Sequence, residues 1–257
     1  MSAGTPHLLR RVGAAFACVA LAGCMLTSAT PPMRVLDHSA RGPSRAEGLV
    51  VFLHGLGDDA GSFARRGVVD VVHRQGWDAV AVGSHFGFYR GFTLVERLQQ
   101  DVVGPARAMG YRRLWLVGVS MGGFGALSYA EAHPADIDGL VLVAPYLGEA
   151  EVLAEARAGN TAWRPGDLAS MEIGRERKSR EILAWLMEQT RSEHGMPIFL
   201  GYGTRDRNAD SHRWLARLLP PNRVYARAGA HKWTVWAPLL AELLPSALAG
   251  PRAGGAT

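Results

Sequence analysis

The sequence predicts an α/β protein built on a doubly wound, mostly parallel sheet of about six to seven strands flanked by helices, with a small helical insert. Short apolar runs recur at 48–53, 79–82, 114–119, 139–144 and 197–204, each unbroken in the way of strands buried on both faces. Stretches with apolar residues at helical spacing separate the first four runs, which implies parallel βαβ units. A length of 257 residues and a hydrophobic content of 48% suit one large domain with a substantial core.

The N-terminal elements point outside the cytoplasm. A basic pair, Arg10-Arg11, precedes an apolar run over 12–23 and then Cys24. A bilayer span takes about 20 residues, so this shorter run reads as the apolar region of a signal peptide over 1–23. Its end, Leu21-Ala22-Gly23-Cys24, resembles the lipobox of bacterial lipoproteins. That resemblance implies a lipidated Cys24 as first mature residue, anchoring the chain to the bacterial cell envelope. The alternative is an ordinary secretory signal or an uncleaved anchor. Cys18 lies within the signal, so no intramolecular disulfide survives processing. Residues 24–47, rich in Ser, Pro and Arg, read as a tether, with 33–37 suited to an edge strand.

The domain is expected over 48–250. Its first strand, 48–53, runs into His54-Gly55-Leu56-Gly57-Asp58-Asp59. A helix follows over 62–73, stopped at Gly76, then a strand over 79–82 that leads into Gly83-Ser84-His85-Phe86-Gly87-Phe88-Tyr89. The next helical pattern, 93–109, contains Pro105, which predicts a kink or a break. The strand at 114–119 opens through Ser120 into a helix ending near His133-Pro134, and 139–144 is the fourth buried strand. Residues 147–195 interrupt the alternation with helical stretches at 149–158 and 179–190. This segment is either a lid or substrate-shaping insert, or a crossover helix with decoration. A strand over 197–204, a short helix over 211–219, a last strand over 223–226 and a helix over 236–248 complete the domain. The tail 251–257 is rich in Pro, Gly and Ala and reads as disordered.

In parallel sheets ligands bind beyond the carboxyl ends of the strands, so the loops after residues 53, 82, 119 and 144 share one rim. On that rim Gly118-Val119-Ser120-Met121-Gly122 has the G-x-S-x-G pattern of a nucleophile elbow, a turn that tolerates almost no side chain two residues either side of the serine. A serine hydroxyl is a weak nucleophile at neutral pH and needs a base, itself oriented by a third group. Asp206 and His231 supply the acid and the base in the chain order expected after such an elbow. His85 is the alternative base or a pocket residue. Asp210 is better explained as the N-cap of the following helix, and Asp167 is a more distant choice of acid. His54 is expected to be buried and structural, and His194 and His212 lie in polar stretches. The backbone N–H of Met121 and of Leu56, with Gly57 second to Leu56, would bind the oxyanion. His85, Tyr89 and Tyr146 are candidate substrate contacts, with Phe86 and Phe88 serving either pocket or core.

Partners are bounded by charge and ligand chemistry. All but two of the 28 basic residues are arginines, scattered with no basic run despite a net charge of +5, which argues against nucleic acid. Asp58 and Asp59, without spaced His or Cys, make a poor metal site, and no metal or cofactor is implied.

Over residues 48–248 the chain resembles α/β-hydrolases of the serine-esterase type. Ser120-Met121-Gly122-Gly123-Phe124-Gly125-Ala126-Leu127 is similar to the elbow of the esterase D and S-formylglutathione hydrolase group. His54-Gly55-Leu56-Gly57-Asp58 is similar to the oxyanion loop of acyl-protein thioesterases and related carboxylesterases, and Ala230-His231-Lys232-Trp233 to esterase histidine loops. The resemblance implies a Ser-His-Asp ester hydrolase working through an acyl-enzyme on a small-molecule or lipid ester. Two other readings fit the same residues: an acyltransferase, and a catalytically silent binding protein.

Overall fold

The computed structural model describes residues 31–39, 46, 48–159 and 162–249. The expected signal peptide over 1–23, Cys24, most of the expected tether and the tail 251–257 lie outside the described residues.

The apolar runs form strands β1 (Val35–Asp37), β2 (Gly48–Leu53), β3 (Asp78–Val82), β4 (Arg113–Val119), β5 (Gly139–Val143), β6 (Ile198–Gly203) and β7 (Val224–Arg227). They lie in one sheet in the order β1-β3-β2-β4-β5-β6-β7. Only β1 is antiparallel, pairing Leu36 with Ala81. From β2 the chain steps first to β3 and later to β4 on the other side, so the strand order reverses at the β2/β4 boundary. That boundary is where such sheets bind ligands. The register Leu53↔Gly118 brings the loops after β2 and β4 to the same level.

Side chains alternate between two apolar layers, as a period of two residues requires. Val51, Leu53, Leu116 and Leu142 face the helix Met121–Ala132, the helical stretch from Leu94 and the helix Arg175–Arg191. Val50, Phe52, Val117 and Val143 face the helices Val68–Arg74 and Trp233–Leu248.

The helices depart from expectation in specific places. The predicted helix over 62–73 is two, Ser62–Arg65 and Val68–Arg74, because Gly67 sits between them at a φ of 69°. The irregularity expected at Pro105 falls just before it, where one α-helix gives way to another with Pro105 in its first turn. Leu94–Leu98 passes through a wide π turn, Gln99–Val103, into Gly104–Ala108, with Gly104 N–H bonded back to Gln99 O. Proline lacks an N–H and crowds the carbonyl of residue i−4. The wider turn lies immediately before it. The loop predicted after β3 contains a short helix, Phe86–Arg90, capped by His85, whose ring accepts from Gly87 N at 3.1 Å.

The segment 147–195 divides between its two readings. Helix Arg175–Arg191 buries Ile182, Leu183, Trp185, Leu186 and Met187 and leads into β6, which makes it a crossover helix. Its first turn, with residues 171–174, overhangs the carboxyl rim instead.

Leu116 is fully buried in β4 at the centre of the sheet. Leu116→Ala should lower unfolding free energy by about 2–5 kcal/mol, the range for a large-to-small core change. The check is a urea titration in which the midpoint falls while the slope is unchanged.

Candidate active site

Ser120 joins β4 to the helix Met121–Ala132 at φ 54° and ψ −115°. A non-glycine residue held in such a region costs about 1–3 kcal/mol, sustained only when its surroundings fix it. Here Ser120 N–H donates to Val143 O at 3.0 Å, while Ser120 O accepts from Tyr146 N at 2.9 Å and Gly123 N at 3.0 Å. Flanking glycines make the elbow possible. A Cβ at Gly118 would stand 2.4 Å from Gly122 O, and one at Gly122 would stand 2.1 Å from Leu53 O.

His231, in the loop after β7, places Nε2 2.9 Å from Ser120 Oγ and Nδ1 2.7 Å from Asp206 Oδ2. With Nδ1–H donating to the carboxylate, Nε2 is left as acceptor for the serine proton. Asp206 follows β6 and is buried. Burial by itself would raise its pKa. The hydrogen bond from His231, the Asn208 amide at 2.8 Å and the nearby histidines outweigh that and hold it below the usual carboxylate value. Trp236 meets the His231 ring edge-to-face at 4.7 Å.

Three predicted site residues therefore converge, and the competing residues lie elsewhere. Asp210 is not the N-cap. The helix Ala209–Ala216 begins after Asn208, and Asp210 sits in its first turn, paired with Arg213 at 2.8 Å. Asp167 caps the short turn Leu168–Ser170. His85 caps its helix and stacks on Phe88, with ring centres 4.0 Å apart, and is not among the residues lining the groove described below. His54 is buried, with Nδ1 2.8 Å from Gly55 O.

The two proposed oxyanion donors flank the serine. Met121 opens its helix, so its amide is one of the four without an intrahelical acceptor. Gly55 abuts the serine, since a Cβ there would be 3.2 Å from Ser120 Cβ. Leu56 follows in a turn closed by Asp58 N to Gly55 O at 3.2 Å, its own side chain 64% exposed.

Two supports were not legible in the sequence. Asp58, a poor metal ligand by sequence, accepts from Trp233 Nε1 and Ser62 Oγ, tying the loop after β2 to the helix that begins just after His231. His212, expected in a polar stretch, is fully buried, with Nε2 3.0 Å from Pro145 O. It braces the turn whose Tyr146 amide holds Ser120 O. Burial lowers the His212 pKa, opposed by the Pro145 hydrogen bond and the Asp206 charge, so the ring is neutral and donates through Nε2. A tryptophan two residues beyond a histidine, and a histidine three residues before the apolar Leu215 in a short helix, are the sequence signals for these contacts.

Beside the serine opens a cavity of about 950 Å³. Its floor is the stripe Met121, Phe124, Ser128 and Ala132. Phe88, Tyr89, Arg90 and Leu94 wall one side, and Tyr146, Glu149 and the first turn of Arg175–Arg191 wall the other. Tyr146 donates to Glu149 at 3.1 Å; burial and the Glu149 charge push its phenol up to about 12. Burial raises the Tyr89 phenol as well. Chemically, the arrangement can deprotonate the Ser120 hydroxyl as it attacks a carbonyl.

A family model described as serine aminopeptidase, S33, matches residues 44–178, just over half of the chain and inclusive of Ser120. No curated protein matches the chain. Among solved structures, the S-formylglutathione hydrolase of Staphylococcus aureus is 14% identical with a TM-score of 0.54, covering 84% of this chain and 96% of that one. Est1E from Butyrivibrio proteoclasticus is 12% identical with a TM-score of 0.58, covering 84% and 93%. A monoacylglycerol lipase of Paleococcus ferrophilus is 18% identical with a TM-score of 0.53, covering 84% and 99%. These likenesses are of fold.

The His212 contacts predict a pH dependence of stability. A histidine whose folded pKa is depressed stabilises the fold fully above its unfolded value, about 6.5, and that contribution is lost as pH falls toward the folded value. His212→Gln keeps an amide donor toward Pro145 O and removes the titration. Denaturant unfolding between pH 8 and pH 5 should show a slope reduced by up to about 1.4 kcal/mol per pH unit relative to wild type.

Proposed function

Because the chain belongs to the serine aminopeptidase S33 family of α/β-hydrolases, we propose that it is a serine ester hydrolase working through an acyl-enzyme. The observation that carries this reading is the continuous hydrogen-bonded relay from Ser120 Oγ through His231 to Asp206 Oδ2. In the first half-reaction Ser120 Oγ attacks the ester carbonyl and His231 Nε2 takes the hydroxyl proton. The Met121 and Leu56 amides hold the oxyanion, and His231 returns the proton to the departing alcohol. In the second, His231 deprotonates a water that attacks the acyl carbon and then reprotonates Ser120. Asp206 fixes the imidazole tautomer throughout. The esterase and lipase names carried by fold neighbours favour esters as substrates.

The same proposal places the enzyme outside the cytoplasm, held to the envelope by a lipid on Cys24. Its support is the basic pair, short apolar run and Leu21-Ala22-Gly23-Cys24. Acyl chains contribute about 0.8 kcal/mol per buried methylene, so more than one gives stable anchoring. Among the described residues no helix is long and apolar enough to cross a membrane.

A fluorophosphonate probe should label wild type and leave Ser120→Ala unlabelled, and Ser120→Ala should lose at least about 10⁴-fold in kcat on p-nitrophenyl butyrate. Asp206→Asn, which disturbs the tautomer, should cost about 10³–10⁴-fold. Turnover retained in Ser120→Ala would reject the assignment. Fractionation of cells carrying Cys24→Ala should move the protein from the membrane to the soluble fraction; a variant that stays in the membrane would reject the anchor.

A further inference from the structure

The cavity beside Ser120 changes character along its length. Met121 and Ala132 are eleven residues apart on one helix, so the floor runs about 16 Å away from the nucleophile. Close to the serine the walls are aromatic: Phe124 lies one turn beyond Met121 and packs on Tyr146 with ring centres 5.3 Å apart, and Tyr89 reaches the same helix, its hydroxyl 2.7 Å from where a Cβ on Gly125 would stand. The rest of the lining mixes apolar side chains, Phe92, Val95 and Ile173 among them, with charged ones.

The charges are not equally available. Lys178 is committed to Glu131 at 2.6 Å and Glu181 at 3.2 Å, and Arg177 to Glu181 at 2.9 Å. Arg175 has only Glu149, at 3.6 Å, and its side chain is 75% exposed; Glu149 also accepts from Tyr146. Arg90 lines the cavity with no ion-pair partner among the described residues. Arg90 follows β3 and Arg175 follows β5, so the two available guanidiniums come from opposite walls across the helix that forms the floor. A guanidinium is always charged and matches carboxylate, phosphate or sulfonate through its planar fork of donors.

We infer that this cavity selects esters in which one arm is an aromatic or alkyl body ending in an anionic group, the body lying between Phe124 and Tyr89 and the anion between Arg90 and Arg175. The inference rests on the ester-hydrolase reading and names its substrate class.

The test compares kcat/KM of the purified full-length protein on two matched pairs. For a charged acyl arm the pair is the p-nitrophenyl monoester of octanedioic acid against p-nitrophenyl octanoate. For a charged alcohol arm it is a sulfonated 1-naphthyl acetate against 1-naphthyl acetate. In at least one pair wild type should favour the anion about fivefold, the size expected of partly exposed charges. That preference should lie in KM and shrink in about 0.5 M salt. It should fall to near one in Arg90→Gln/Arg175→Gln and persist in Arg213→Gln, which removes a cation far from the cavity. No anionic preference in either pair, or one that the double variant keeps, overturns the inference while brisk neutral turnover leaves the ester reading standing. Failure to turn over all four esters while the fluorophosphonate still labels Ser120 rejects the ester reading, and the inference falls with it.

Discussion

A serine at φ 54° does not remain there unaided, and much of the rim is arranged around holding it. Three backbone hydrogen bonds fix Ser120 from two directions, one to the last residue of β5 and one from Tyr146 just beyond it. The partner segment is unusual in turn: Ala144 has a φ of 47°, and the following carbonyl, Pro145 O, accepts from a fully buried histidine. Two unfavourable backbone conformations thus face each other and are stabilised by the same bonds. Sheet packing offsets their cost. β4 and β5 are wholly buried apart from Arg113, so the strand ends have no freedom to relax.

That rigidity extends to the loops that carry the other groups. The Asp58 to Trp233 bond joins the loop after β2 to the loop after β7, although the two strands lie at separate positions in the sheet. Trp233 is further wedged between Phe63, with ring centres 5.3 Å apart, and Arg66, whose guanidinium lies 4.4 Å from the ring centre. The loop after β2 and the loop carrying His231 are therefore tied together through Trp233, and Trp236 from the same helix packs against the imidazole. Electrostatic stabilisation of a developing oxyanion depends on donors that need no reorganisation when charge appears. Side-chain ties of this kind supply that condition without occupying the donors themselves.

The strands were legible because they are continuous apolar runs between charged or glycine-rich turns, and each observed boundary falls within one or two residues of its expected place. Ser120, Asp206 and His231 were legible because chain order and rim position constrain them, and the structure brings those three together. What the sequence concealed has a common cause, which is that it depends on partners distant in the chain. His212 is polar in a polar neighbourhood and declares its burial only through Pro145, 67 residues away. Asp58 looks solvated until Trp233 is placed against it, 175 residues on. The π turn before Pro105 is a local accommodation that a 3.6-residue period cannot represent. The break at Gly67 was readable in principle, since glycine at positive φ interrupts a helix, but Phe63 before it and Val68, Val69, Val71 and Val72 after it read as one apolar face.

The segment 147–195 shows how one element can serve both stability and selectivity. From Ser179 onward the helix Arg175–Arg191 belongs to the core: Ile182, Leu183 and Leu186 are completely buried, and any change there is felt by the sheet. Its first turn points the other way, over the cavity, where Arg175 and Lys178 sit among water and carboxylates. Lys178 is the hinge between the two roles, because its ammonium bonds Glu131 on the floor helix and Glu181 on its own. The pair is only half-buried, so its contribution to stability is modest, but it fixes the distance between floor and wall and hence the width of the cavity. Specificity can therefore be altered at the exposed lining residues, Phe86, Arg90, Phe92, Ile173 and Arg175. Those positions can change without disturbing the packing that keeps Ser120 in place.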